Sequence, residues 1–206
     1  MANSNVKFGL KPIGVVGGLA GTTGQSPYFI KSDASAIYQG SPVIVTNDGT
    51  IAVTGSATGD TYKHIGVFAG CEYVDATTGE KKFSNRWPGS GSASTDFDII
   101  GFVYDNPFQR FAICTDATFT DKATARAAIF ENAAMITATA GSTTTGVSGA
   151  QLDTTTPDAA NLSFPLKIVG ILDDVANQDY ASAGLPVIVI FNNHALLSGD
   201  SEAVVA

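Results

Sequence analysis

The chain has 206 residues, 44% of them hydrophobic and 15% charged, with 19 acidic against 11 basic side chains and a net charge of −8. This is too apolar for a disordered chain, and the length suits one sizeable core or two small ones. The acidic balance, with a pI near 4.5, repels phosphate backbones and anionic head groups, so no nucleic acid and no membrane partner is expected.

Residues 1–13 carry two isolated hydrophobes, Phe8 and Leu10, in a polar setting with neither helical nor strand period, and read as a mobile arm. The start lacks the basic and apolar regions of a signal peptide, and no apolar run reaches the roughly 18 residues of a membrane span. Both observations predict a chain made and kept in a cytoplasm. The glycines at 14, 17, 18, 21 and 24 do not make a G-x-G-x-x-G loop, and the following Thr22 to Pro27 cannot open a helix, so this stretch reads as a surface loop.

Short strands and tight turns then alternate: Tyr28 to Ile30, Ala36 to Tyr38, Pro42 to Val45 and Ile51 to Val53, with Asn47-Asp48-Gly49 as a hairpin turn. His64 to Val74 predicts a long strand whose glycines mark a bend or a close backbone approach in a barrel wall. Lys81 to Thr95 reads as a long loop presenting Arg86 and Trp87, the Trp serving either a protein contact or the closure of one barrel end. Asp98 to Tyr104 and Gln109 to Cys114 read as a hairpin around Asp105-Asn106-Pro107. Asp121 to Met135 predicts one helix with Asp121 as N-cap. Residues 137–161 are small and polar, fit for loops or edge strands, with Thr145 to Asp153 packing once. Leu166 to Leu172 and Leu185 to Phe191 are continuous apolar runs, predicted to be covered on both faces and joined by the polar loop 173–184.

The pattern predicts an all-β fold: a barrel or sandwich of short antiparallel strands with one short helix and an extended N-terminal arm. The organisation expected is an arm over 1–13, a β-rich domain over 14–195, whole or divided into two intimate lobes near 117–135, and a tail over 196–206.

Residues that carry chemistry are sparse. His64 enters a strand and His194 follows a strand end, positions where a hydrogen-bonded structural histidine is the common case, and no nucleophile stands with a base. Cys71 and Cys114 lie in strand-like segments and read as buried thiols. Asp96, Asp98, Asp173 and Asp174 could offer oxygens to a hard cation such as Ca²⁺, but their spacing matches no calcium loop and they read as solvated turns, so neither a metal nor a cofactor is expected. Trp87, Tyr62, Tyr73, Tyr104 and Tyr180 could present stacking surfaces to a carbohydrate, or fill the core.

Several phrases carry a family resemblance: the opening Met1 to Val6 with Phe8 to Pro12, Gly66 to Cys71, Phe83 to Pro88, Ala140 to Thr143 with Leu152-Asp153, and the closing Val189 to His194. Together these span nearly the whole chain and resemble a family of tailed-bacteriophage structural proteins common in marine phages. The resemblance implies a noncatalytic virion component, a capsid cement or decoration protein on the head exterior, assembled in the host cytoplasm. Its implied partners are the major capsid protein and, by analogy, two further copies in a trimer. A tail or adhesin-type carbohydrate-binding module is the alternative. Phe8, Leu10, Arg86 and Trp87 are the expected partner contacts.

Overall fold

The computed structural model describes residues 2–4, 6–17, 24–53, 64–136 and 138–197. Along these the chain forms β1 (Lys11–Val15), β2 (Ser26–Ile30), β3 (Ile37–Tyr38), β4 (Pro42–Val45), β5 (Thr50–Val53), β6 (His64–Val74), β7 (Lys81–Ser84) and β8 (Arg86–Trp87). There follow β9 (Ile99–Tyr104), β10 (Gln109–Cys114), the helix α1 (Lys122–Ala127), β11 (Asn132–Ala133), β12 (Met135–Ile136), β13 (Gln151–Leu152), β14 (Leu166–Ile171) and β15 (Pro186–Phe191). The fold is all-β with one short helix.

Strands β4-β5-β2-β9-β6 form a sheet that closes on itself through the β4–β6 pairing, giving a five-stranded barrel with β7 added to the outer edge of β6. All of its pairings are antiparallel except β2–β5. Ile30, Val43, Ile51, Ile65, Phe68, Trp87, Ile99 and Val103 fill it. A second sheet, in the order β1-β10-β15-β14-β11, carries the other core on one face, built from Phe111, Ile113, Leu166, Ile168, Val187, Val189 and Phe191 with Leu152 and Leu185. The changeover between the cores falls between Val15 and Ser26 and again between Tyr104 and Gln109. Of residues 117–135, Phe119, Ala125, Ala128, Ala133 and Met135 pack into the second core.

Local chemistry explains the turns that hold the barrel. Thr46 and Thr50 are joined by a backbone bond of 2.9 Å across Asn47-Asp48-Gly49, and Gly49 takes φ +76°, the left-handed value that makes this three-residue hairpin favour glycine. The wall bends where the β4–β6 and β6–β9 registers slip, between Val43 and Ile44 and between Phe68 and Gly70.

Three sequence expectations are corrected. The segments 98–104 and 109–114 are not a hairpin: β9 has both edges taken by β2 and β6, and β10 by β1 and β15, so Asp105 to Phe108 carries the chain from one sheet to the other. The helix stops at Ala127, because the Phe130 N–H donates to the Ile168 carbonyl (2.7 Å) and the Glu131 carbonyl accepts from Ile168 N–H (3.0 Å). Pairing with β14 thus overrides helix propensity, and Phe130 turns the chain at φ +74°. Asp121 does cap the helix, accepting from Thr124 N–H at 2.8 Å. Finally, β14 and β15 bury one face only, since Lys167, Val169, Ile188 and Ile190 on the other face remain partly exposed.

Gly66 sets a sharp constraint. It sits at φ +150°, and a Cβ there would lie 2.1 Å from the Tyr104 carbonyl oxygen on β9. Gly66→Ala should destabilise the protein by about 3 kcal/mol or more, through backbone strain and a forced separation of β6 from β9. Gly49→Ala, whose Cβ would meet nothing within 4 Å, should cost only about 1 kcal/mol. Urea unfolding midpoints of the two variants check the ranking; equal losses would mean that the Tyr104 contact is not limiting.

Candidate interaction surface

The residues expected to meet a partner do not share one surface. Leu10 is 1% exposed and belongs to the second core, and Trp87 is fully buried in the barrel, donating from Nε1 to the Ala34 carbonyl (3.1 Å) and meeting Tyr73 edge-to-face at 5.4 Å. The physical reason is pairing: Ile37 opposite Trp87 and Tyr38 opposite Arg86 turn the expected loop into the strand pair β3–β8, which closes one end of the barrel. Phe8 and Arg86 are half-buried. The arm is extended but not free. Asn3 Nδ2 donates to the carbonyls of Asp179 (2.7 Å) and Ser182 (3.2 Å), its Oδ1 accepts from Asp179 N–H (2.8 Å), and residues 11–15 form an edge strand.

The apolar surface instead comes from residues that sequence reasoning passed over. Register places Phe29 opposite Ile100, Ile100 opposite Glu72 and Glu72 opposite Phe83, so one row crosses β2, β9, β6 and β7 on the outer face of the barrel. Phe29 is 52% and Phe83 73% exposed. Lys81 Nζ stands 2.9 Å from Glu72 Oε1 and 5.5 Å from the centre of the Phe83 ring, so the charge of Glu72 within the row is neutralised beside it. Half-buried Phe102 extends the band along β9. At the Phe29 end it runs into a cleft of about 330 Å³ lined by Phe97, Asp48, Asp98, Ser32 and Thr50. The only sequence signal was period-2 alternation, Ile30 inward and Phe29 outward, and it became readable once the partner strands were known.

The histidines and cysteines are buried. His64 is buried at the junction of the two cores, stacked on Phe191 with ring centres 5.1 Å apart, and His194 meets the same ring edge-to-face at 6.3 Å. Neither ring nitrogen of His64 has a partner among the described residues. Burial first, and then the neighbouring His194, push His64 down to about 3; burial lowers His194 as well, against the opposing pull of Asp105. Cys71 and Cys114 are buried free thiols, both pushed up by burial, Cys71 to about 12. No three His, Cys, Asp or Glu side chains gather as a metal-ligand set among the described residues. Of the expected stacking aromatics, Tyr73 is buried, Tyr104 and Tyr180 pack against the second core, and Tyr62 lies outside the described residues. No described helix is long and apolar enough to cross a membrane.

Compared with known proteins, the chain matches no family model, no curated protein and no solved structure.

The buried histidines fix a pH dependence. Because folding holds His64 below its ordinary value of 6.5, the unfolded chain binds a proton that the folded chain refuses, so stability is whole above pH 6.5 and falls as pH drops from there toward about 3. Asp48, held at about 2 by the Thr46 and Thr50 hydroxyls, titrates below most of that window. The unfolding free energy should fall by a few kcal/mol between about pH 7 and pH 4, and His64→Phe should remove most of that slope; chemical denaturation at a series of pH values reads it, and an unchanged slope in the variant would assign the effect elsewhere.

Proposed function

We propose that this protein is a noncatalytic virion component, a cement or decoration protein that binds the outside of a phage head and clamps neighbouring major capsid subunits, self-associating as a trimer. The observation that carries the reading is the band of Phe29, Ile100, Phe102 and Phe83 on the barrel's outer wall. Exposed aromatics on rigid strands, with the Lys81–Glu72 ion pair internal to the band, are contact material: they give up little conformational freedom on docking and leave no unpaired charge to bury.

The chemistry of the remaining polar groups points the same way. The two histidines are buried against one phenylalanine and the two thiols are held protonated by burial, so neither pair offers a base or a nucleophile to a substrate. A band of this kind needs only a modest patch on each partner, roughly 800 Å² a side, and repetition of the contact over a shell multiplies its strength through avidity.

One feature favours a second reading, an adhesin-type carbohydrate-binding module. The cleft beside Phe29 combines the Phe29 and Phe97 rings with Asp98, Ser32 and Thr50, the pairing of a stacking face with hydroxyl-seeking groups that a sugar requires.

Both readings meet in one experiment, co-sedimentation of the purified protein with expanded heads that lack it. Saturable binding at a fixed ratio to capsid subunits is expected, and Phe29→Ser combined with Phe83→Ser should weaken it at least about tenfold while the unfolding midpoint stays put. Absence of head binding with retention on a glycan array would transfer the assignment to the second reading.

A further inference from the structure

On the face of the second sheet turned away from its core, the part at β10 and the start of β15 is roofed by the chain's own N-terminal residues. On β10, Phe111 and Ile113 point into the core, and Ala112 and Cys114 point the other way yet are only 2% and 1% exposed. What covers them is the arm: Cys114 Sγ lies 3.7 Å from the Val6 carbonyl, and Val6, Phe8, Lys11 and Ile13 form one wall of a groove whose floor and far wall are Ala112, Pro186, Leu172 and Asp174. The groove keeps about 360 Å³ beside the seated arm.

Two properties make this seat unlike an ordinary packed terminus. First, the arm and its seat carry opposite charge. The chain has no acidic residue before Asp33, and the arm carries Lys7 and Lys11, whereas the loop that receives it carries Asp173, Asp174 and Asp179. Those carboxylates take hydrogen bonds from their own loop, through Gln178, Asn177 and Ser182, and neither they nor the two lysines enter an ion pair among the described residues. Second, the seated arm leaves its apolar side chains half covered: Val6 is 65% and Ile13 40% exposed, and Val175 at the crest of the receiving loop is 93% exposed.

We propose that the arm on this seat is that of a second copy of the chain, exchanged between neighbours. Residues 2–8 would leave their own sheet at Gly9 and make the same Asn3, Ser4 and Val6 interactions on the adjacent copy. Exchange of an identical element costs little, because every interaction given up within a chain is made again between chains. Gly9 is the last fixed point before the arm. It has φ +66° and is packed so closely that a Cβ would strike the Gly40 carbonyl oxygen at 2.7 Å, and Leu10, the next residue, is locked in the core by its N–H bond to that same oxygen (2.9 Å). From Gly9 onward the chain is anchored in the core, whereas the arm before it is held through the contacts of Asn3, Ser4 and Val6, which an adjacent copy offers equally. The crossing of two arms brings Val6, Ile13 and Val175 of one copy against the other, which covers the side chains the closed form leaves bare. The opposite charges of arm and loop guide the exchange and make it sensitive to salt.

This inference rests on the self-association in the proposed function and is independent of head binding, so it is tested on the purified protein alone. Asn3→Cys on one tagged copy is co-expressed with Ser182→Cys on another, and the pair is oxidised under native conditions; a single chain carrying both substitutions is oxidised in parallel. These two positions sit together only where an arm is seated, and the native thiols are buried. A disulfide joining the two tags is expected, and a chain lacking residues 2–8 should run as a monomer in sedimentation while the full chain runs as an oligomer. If no disulfide joins the two tags and the doubly substituted chain instead closes its disulfide within a monomer, the arm seats within its own chain and the proposal is overturned. It is equally overturned if deletion of residues 2–8 leaves the oligomeric state unchanged. Head binding by the same samples stands or falls separately.

Discussion

Strand β6 is the wall that both halves of this molecule share. A β-strand sends successive side chains to opposite faces, and over the first half of β6 both faces are interior: Phe68 fills the barrel while its neighbour Val67 packs into the second core, and both are fully buried. His64 at the start of the same strand stacks on Phe191 of β15, and Tyr104 on the adjoining β9 leans on the second core. The strands paired with β6 leave it no room for adjustment at two points: Gly66 and Gly70 sit where the backbone of β9 and of β7 comes too close for a side chain.

Once the centre is committed in this way, polar chemistry is pushed to the rim. The ion pairs Lys31–Asp33, Lys31–Asp48, Lys81–Glu72 and Lys82–Asp75 all join side chains that are at least partly exposed, where such pairs contribute little to stability. Cohesion comes from apolar burial in two modest cores and from the ladders that tie them. The outer faces are then free to carry large apolar residues without weakening the interior, and the barrel wall from Phe29 to Phe83 uses that freedom. The two histidines mark the opposite extreme, titratable rings buried among apolar neighbours and kept neutral by them.

The features legible in the sequence were those decided by neighbours in the chain. Asn47-Asp48-Gly49 demands a left-handed residue and makes a hairpin; Asp121 caps a helix with Thr124 three residues on; the apolar runs at 42–45, 166–171 and 186–191 form strands; the cysteines sit inside such runs and are buried. What escaped was decided across the chain. A segment such as Gln109 to Cys114 reads identically whether it pairs with its predecessor or with β1 and β15, and only the completed sheets choose. Leu10 looked like an exposed anchor because polar neighbours surround it, whereas for Trp87 the sequence left protein contact and closure of a barrel end equally open and the completed barrel chose the second. The outward band was hidden for the converse reason, since Phe29 and Phe83 carry the same letter as core phenylalanines and alternation over four or five residues does not say which face is the inside.

The pairing of β1 with β10 sets Lys11 opposite Ala112 and Val15 opposite Gln109. The whole barrel is thus strung between two adjacent strands of the other sheet, leaving it and rejoining it side by side. An element inserted in this manner controls when its host can close. Until the barrel has folded, the two strands are separated by a long flexible loop whose closure is entropically costly, and the edge of the host sheet stays open. Once the barrel has formed, its own ends hold the strands in register. Barrel formation therefore lowers the entropic cost of adding β1 to β10, and couples the edge of one sheet to the completion of the other.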